Sequence, residues 1–438
     1  ANLATKPPRT LPPNHREPRI IYMKRHVKRN IQEWLMELLG SFPAVELTGA
    51  RQVGKSTLAT MVVEVLGKEA IMFTLDDPEA LNTAKTDPRG FLLQGEDRIM
   101  VIDEFQRAPE LVLPLKASID ADRAPGRFIV TGSSRILGAG SADSLAGRMI
   151  GCSLWGFSQG ELMGIKEDFI TRLLGGIDPQ AESCDLDRGD YVDRVARGSM
   201  PEVQSLSPRM RNAWFDSYLD RISSKDLQDI QRLSDPSRVI TLLRELAAVQ
   251  GSEAVVGKLA NLANIPATTA SKYIALLRSV FLVHVIPPWT PNLLKREVGK
   301  AKMIIGDSGL GLYLTRTRPE TLKDLIHGQA FGGFLEAFVA GELLRQQTWS
   351  ETEWQLFHYR NPDGREVDLI IELEDSRIIA LEIKAASTVS RQDMKHLEWL
   401  REKYGERFVA GIVLNTDQTA RLLGQRLYSL PVASLWRQ

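Results

Sequence analysis

Residues 49–56 read GARQVGKS, between a strand-like run, AVELTG, and a helix-like run, TLATMVVEVL. Glycine at both ends of such a loop lets successive backbone N–H groups curl around an anion, and the lysine adds a cation at the same point. The spacing G-x-x-x-x-G-K-[ST] in a strand–loop–helix context demands a parallel sheet with helices on its faces, because the phosphate cradle forms where a strand ends and a helix begins. The expected ligand is ATP. Gly49, Ala50, Arg51, Gln52, Val53 and Gly54 would line the cradle, with Thr57 next to it. Lys55 would reach the β- and γ-phosphates, and the Ser56 hydroxyl would hold Mg²⁺.

Two further strand ends extend this reading. IMVIDEFQ places Asp103 at the carboxyl end of a four-residue apolar run, where it would orient the Mg²⁺ shell. Glu104 would then polarise the attacking water, since phosphoryl transfer depends mostly on positioning and charge stabilisation. RFIVTGSS offers Ser133 and Ser134 as hydroxyls able to sense the γ-phosphate, although serine is also an ordinary residue at a strand-to-loop turn. Arg148, in SLAGRM, is either a finger reaching a neighbouring subunit's nucleotide or a solvated surface arginine.

Alternating strand-like and helical runs continue to about residue 158 (AIMFTLDD, RIMVIDEF, RFIVTGSS), and residues 20–40 show helical spacing through Ile31, Trp34, Leu35, Leu38 and Leu39. Residues 159–245 read as helical. Residues 253–280 give two helices split by NIP, the layout of a helix-turn-helix with a wing. Its core would be Leu259, Leu262, Ile265, Tyr273, Ile274 and Leu277. Thr268, Thr269, Ser271 and Lys272 would then face outwards, as DNA-contacting groups do. A lid or a protein contact would use the same module. The divisions expected are a basic Pro-rich tail at 1–19, an ATPase core at 20–158, a helical connector at 159–245, a winged-helix-like unit at 246–325 and an α/β unit at 326–438. A chain of 438 residues has room for about three cores.

Charge excludes little. Lys and Arg total 55, as do Asp and Glu, so net charge argues neither for nor against nucleic acid. The basic start lacks the apolar stretch of a signal peptide, and no run of about 18 apolar residues occurs, so a cytoplasmic protein without membrane contact is expected. Two cysteines, Cys152 and Cys184, are too few for a disulfide framework and lack metal-ligand spacing.

The segment GREVDLIIELEDSRIIALEIKAA poses a separate problem, with charged residues inside two apolar strands. A turn at 374–376 makes antiparallel partners sum to 750, which sets Asp368 opposite Glu382 and Glu366 opposite Lys384 on one face. Opposed carboxylates repel unless a cation or a shared proton intervenes, and a divalent metal held by Asp368 and Glu382 is the economical solution, with Lys384 assisting. A plain Glu366–Lys384 ion pair is the alternative.

The run LTGARQVGKSTL, IDEFQRAPEL, TGSS and SLAGR resembles the AAA-type P-loop ATPases of bacteria and archaea that carry a C-terminal domain of unknown function. GSMPEV, YLDRISSKDL, TASKYIALL, GDSGLGLYL and FLEAFVAGELL resemble that second domain. The pattern D-x₁₃-E-x-K resembles the PD-(D/E)xK nuclease fold, in which Asp368 and Glu382 would bind Mg²⁺ and Lys384 would assist the nucleophile. Glu336 matches an acidic residue that Holliday-junction resolvases carry on their first helix. The resemblance thus implies an α/β architecture: a P-loop AAA domain, a helical lid, a winged helix and a PD-(D/E)xK-like domain. It also implies an ATPase that acts on DNA, branched DNA being preferred, and that assembles as a homo-oligomer such as a hexameric ring. The alternative is a nucleotide-controlled switch with a catalytically inactive nuclease-like domain.

Overall fold

The structure is a computed structural model that describes residues 27–134, 145–227, 235–291, 300–324 and 330–437. The basic tail expected at 1–19 lies outside the described residues, as does the stretch 292–299 between the two wing strands.

Five strands, β1 (Ala44–Thr48), β2 (Ala70–Thr74), β3 (Ile99–Asp103), β4 (Phe128–Gly132) and β5 (Met149–Ser153), form a wholly parallel sheet in the order β2-β3-β4-β1-β5. Side chains alternate faces along each strand. Val45, Leu47, Val101 and Ile129 therefore meet the helices Gln32–Ser41 and Lys55–Leu66 on one side. Ala44, Met100, Ile102, Phe128 and Val130 meet Phe91, Leu92, Leu115 and Ile119 on the other. The parallel run sets the carboxyl ends of β1, β3 and β4 along one edge. Trp34, expected on the buried stripe of the first helix, is instead 42% exposed.

The stretch 159–245 does not behave as one connector, because its apolar faces belong to different cores. Phe169, Ile170, Leu173, Tyr191, Val192 and Val195 pack with the C-terminal sheet. Phe215, Tyr218, Leu219, Val239, Leu242 and Leu243 join the P-loop face of the first sheet.

Three helices, Pro236–Ala248, Val256–Leu262 and Ala267–Ser279, are followed by an antiparallel pair, β6 (Val283–Ile286) and β7 (Lys302–Ile305). Leu259, Ile274 and Leu277 are buried as expected, but Leu262 is 62% exposed. The buried stripe of its short helix runs through Leu259, Ala260 and Ala263, and at 100° per residue Leu262 falls outside it.

The C-terminal sheet contains β8 (Trp354–Arg360), β9 (Glu366–Leu373), β10 (Ile378–Lys384), β11 (Phe408–Asn415), β12 (Arg421–Gly424) and β13 (Leu427–Pro431), in the order β12-β13-β11-β10-β9-β8. Helix Phe331–Gln346 covers one face and helix Arg391–Tyr404 the other. The β9–β10 register has Leu369 opposite Leu381 and Glu372 opposite Ile378, as the turn predicts. The edge at β8 is covered by the chain leaving β6: His358 N–H donates to Pro287 O at 3.0 Å and Trp289 N–H to His358 O at 2.6 Å. Among the described residues no helix is long and apolar enough to cross a membrane.

Two of the quoted sequence stretches meet in space. Asp307, in GDSG, is buried and accepts from Ser199 N at 2.5 Å, Ser199 Oγ at 2.8 Å, Met200 N at 3.2 Å and Leu310 N at 2.7 Å. Gly198 makes this possible. Its φ is +75° and a Cβ there would meet Asp307 Oδ1 at 2.5 Å. Asp307→Ala should strand several buried donors and cost about 3 kcal/mol or more, read as a lowered melting temperature, whereas a change within experimental error would contradict this account.

Candidate nucleotide-binding site

The loop after β1 crosses the sheet edge under close constraint. Gln52 and Gly54 have φ of +65° and +95°, and a Cβ on Gly49 would lie 2.1 Å from Leu154 O. Lys55 is 6% exposed, and its Nζ donates to Gly49 O and Ala50 O, both at 3.0 Å. Ser56 and Thr57 are exposed at the start of the helix, so the hydroxyl expected to hold Mg²⁺ is accessible.

On the neighbouring strand ends, Asp103 Oδ1 accepts from Thr131 Oγ1. Glu104 takes a left-handed φ of +57°, which turns its side chain back towards Ser133. Gln106 Nε2 donates to Glu104 Oε2 and lies 3.1 Å from Ser133 Oγ, itself 3.4 Å from Glu104 Oε2. Glu104, Gln106 and Ser133 thus form one hydrogen-bonded group. Gln106 was not singled out from the sequence, since a glutamine two residues after an acidic pair carries no signal of its own.

A cleft of about 1060 Å³ joins the loop to Glu104 and Asp76, and its far wall is made by Pro201, Glu202, Trp214 and Arg221. The last two belong to the helix Pro208–Arg221, so the helical segment closes over the P-loop. Arg29 braces the floor. Its guanidinium donates to Val53 O at 3.1 Å, Trp155 O at 2.7 Å and Glu161 Oε1 at 3.0 Å. Arg29 also escaped sequence reasoning, being one of eight basic residues among the first thirty. Arg148 sits outside the cleft: it precedes β5, at the end of the sheet opposite the P-loop, and pairs with Asp120 at 2.7 and 3.0 Å. It does not serve the nucleotide site of its own chain.

Residues 41–163 match the family model described as an AAA domain. This part of the chain is similar to AAA domains. Residues 188–321 and 331–435 match two models described as domains of unknown function, DUF8612 and DUF4143. Uncharacterized proteins of Mycobacterium tuberculosis and Mycobacterium bovis are each 28% identical over 365 residues, 83% of this chain and 75% of theirs. Among solved structures, a Walker-type ATPase of Pyrococcus abyssi is 15% identical and covers 67% of this chain and 97% of its own, with a TM-score of 0.41. The RuvB Holliday junction branch migration motor of Thermotoga maritima is 18% identical over 61% of this chain and 93% of its own, with a TM-score of 0.28. Neither overlap is close enough to carry a substrate or partner across.

The acidic hairpin holds a different arrangement from the one expected. Lys302, from β7, reaches into it with Nζ 2.7 Å from Glu336 Oε1, 3.5 Å from Glu366 Oε1 and 3.7 Å from Asp368 Oδ1. Asp368 Oδ2 accepts from Ile383 N at 2.8 Å, and Lys384 lies 3.3 Å from Glu382 and 3.7 Å from Asp393. Among the described contacts Glu366 does not pair with Lys384, and Asp368 and Glu382 turn to different cations, Lys302 and Lys384. An ammonium stands among the carboxylates, and Glu366 turns to Lys302 and Arg360. No group of three or more His, Cys, Asp or Glu among the described residues is arranged to hold a metal ion. Burial, then the Asp368 charge, pushes the carboxyls of Glu336 and Glu382 up to about 8.

Gln106→Ala should free Glu104 and slow ATP turnover roughly tenfold to a hundredfold while nucleotide affinity changes little. Equal loss of both, measured by steady-state hydrolysis and nucleotide titration, would show that Gln106 supports only the fold.

Proposed function

We propose that this chain is an ATP-hydrolysing, DNA-binding protein in which nucleotide turnover drives or times a rearrangement, and in which the nuclease-like sheet does not cleave. The observation that carries the reading is the convergence of Lys55, Asp103, Glu104 and Ser133 at one sheet edge, with Glu104 already held in place by Gln106. Lys55 would leave its two carbonyls for the β- and γ-phosphate oxygens. Ser56 and Asp103 would hold Mg²⁺, which offsets phosphate charge when bound. Glu104 orients a water for in-line attack on the γ-phosphorus and takes its proton, as the bond to the bridging oxygen of ADP breaks. Ser133 senses the γ-phosphate through the same hydrogen-bonded group, and Trp214 and Arg221 report nucleotide occupancy to the helical segment.

DNA contact is assigned to the outer face of helix Ala267–Ser279, where Thr268, Ser271 and Lys272 are exposed and Thr269 is partly so. The reason for singling out branched DNA was Glu336, and that support is gone now that Lys302 engages it. Arg148, remote from its own cleft, would have to leave Asp120 to act on the nucleotide of an adjoining subunit in a ring.

Lys55→Ala should abolish nucleotide binding. Glu104→Gln should keep binding and slow hydrolysis roughly a hundredfold or more. Turnover measured with single-stranded, duplex and four-way-junction DNA separates the two roles. Stimulation by any of them supports DNA-coupled work. Slow turnover indifferent to all three leaves a nucleotide-timed switch whose partner is a protein.

Arg148→Ala should retain ATP binding, and mixing it with Glu104→Gln subunits should restore part of the lost hydrolysis. The absence of recovery in mixtures, with a monomer at saturating ATP, would remove Arg148 from the mechanism.

A further inference from the structure

The acidic patch on β9 and β10 is built as a cation site, yet the chain fills it from its own middle module. Lys302 is 1% exposed and belongs to a strand held on both sides. It pairs with Ile286 on β6 and bridges Glu253. Its ammonium has three carboxylates within 3.7 Å. Both Asp368 oxygens are engaged, one facing Lys302 and the other accepting from Ile383 N–H. Glu382 is turned to Lys384. A divalent ion needs several oxygens at about 2.0–2.6 Å, and here it would also meet the charge of a buried ammonium.

We propose that Lys302 is a built-in cation that permanently takes the position where a sheet of this pattern would hold a divalent metal, clamping the β6–β7 hairpin onto a metal-independent C-terminal sheet. The contact is not a removable plug. Withdrawing Lys302 would leave Glu336, Glu366 and Asp368 without their central counter-ion in a poorly solvated place, and breaking a buried pair from one side is strongly unfavourable. A second contact locks the same two modules. The segment 287–289, which leaves β6, hydrogen-bonds to His358 along the open edge of β8, and Trp289 Nε1 donates to Glu372 Oε1 at 3.1 Å. The middle module therefore supplies both the cation inside the sheet and the cover on its edge. A boundary drawn at residue 325 would separate Lys302 from all its carboxylate partners.

This inference deepens the non-cleaving reading above, and its test is independent of ATP turnover because it uses full-length, nucleotide-free protein. Melting is followed with Mn²⁺ as the probe and with EDTA. In the wild type and in Asp368→Asn, Mn²⁺ should change the melting temperature equally, because neither has a metal site at the hairpin. A Mn²⁺-dependent rise in the wild type that Asp368→Asn abolishes would overturn the proposal. Lys302→Met keeps the length of the stem and deletes the charge. It should melt roughly 5–15 °C lower in EDTA, and Mn²⁺ should recover part of that loss unless Asp368→Asn is added. Lys302→Met protein that melts like the wild type and ignores Mn²⁺ would also overturn it. If Lys302→Met folds only with Mn²⁺ present, the exchange of one cation for the other is shown directly. If it folds under neither condition, the wild-type and Asp368→Asn pair still decides the question.

Discussion

Two arginines share one carbonyl. Gly156 O accepts from Arg29 at 3.4 Å and from Arg345 at 3.3 Å, and that meeting ties the phosphate loop to the C-terminal helix. Arg29 carries the contact to the P-loop at Val53. Arg345, on the helix Phe331–Gln346, carries it to Gly306 O and to Glu342, whose carboxylate also accepts from Gln159 N–H at 2.8 Å. Arg29, Glu161, Glu342 and Arg345 are all buried. Burying such charges costs several kcal/mol each unless they are paired and hydrogen-bonded, so the four can be buried only as a set. The phosphate loop and the C-terminal helix are therefore parts of one polar network, although about three hundred residues separate them in the chain.

The two buried lysines show how the same side chain can be poised or fixed. Lys55 is held by backbone carbonyls, neutral dipoles that the oxygens of a phosphate readily replace. Lys302 is held by carboxylates. Burial works against its charge, but Glu336, Asp368 and Glu366 outweigh it and raise its pKa. A group whose folded pKa lies above its unfolded value contributes stability that is lost as pH rises through the folded value, so this contact persists across the neutral range. The difference between a mobile ligand-binding ammonium and a structural one thus lies in the charge of the acceptors and not in burial.

Much of the fold was legible locally. The short continuous apolar runs located the parallel strands, and the turn at 374–376 set the β9–β10 register through Leu369 and Leu381. The misses have physical causes. Trp34 and Leu262 lie at the border of a helical stripe, where spacing alone does not decide burial. The β12–β13 hairpin, RLLGQRLYSL, is too short and too charged to announce itself, and it forms because β11 offers β13 a parallel partner. Arg29 and Gln106 act through geometry that no spacing encodes.

From the sequence alone, the identity of the phosphate loop and of the Asp103–Glu104 pair followed, because that chemistry resides in adjacent residues on one strand–loop–helix unit. The sequence also set Asp368 opposite Glu382, two carboxylates that repel unless a cation or a shared proton intervenes. Which cation answers that repulsion was a tertiary decision. Lys302 lies 66 residues from Asp368 in the chain, with only a strand and a helix of ordinary composition to announce it. Only the folding of β7 against the C-terminal sheet brings its ammonium to Asp368, Glu366 and Glu336, while Glu382 turns to Lys384, because electrostatic partners are selected by distance in space and not by position along the chain.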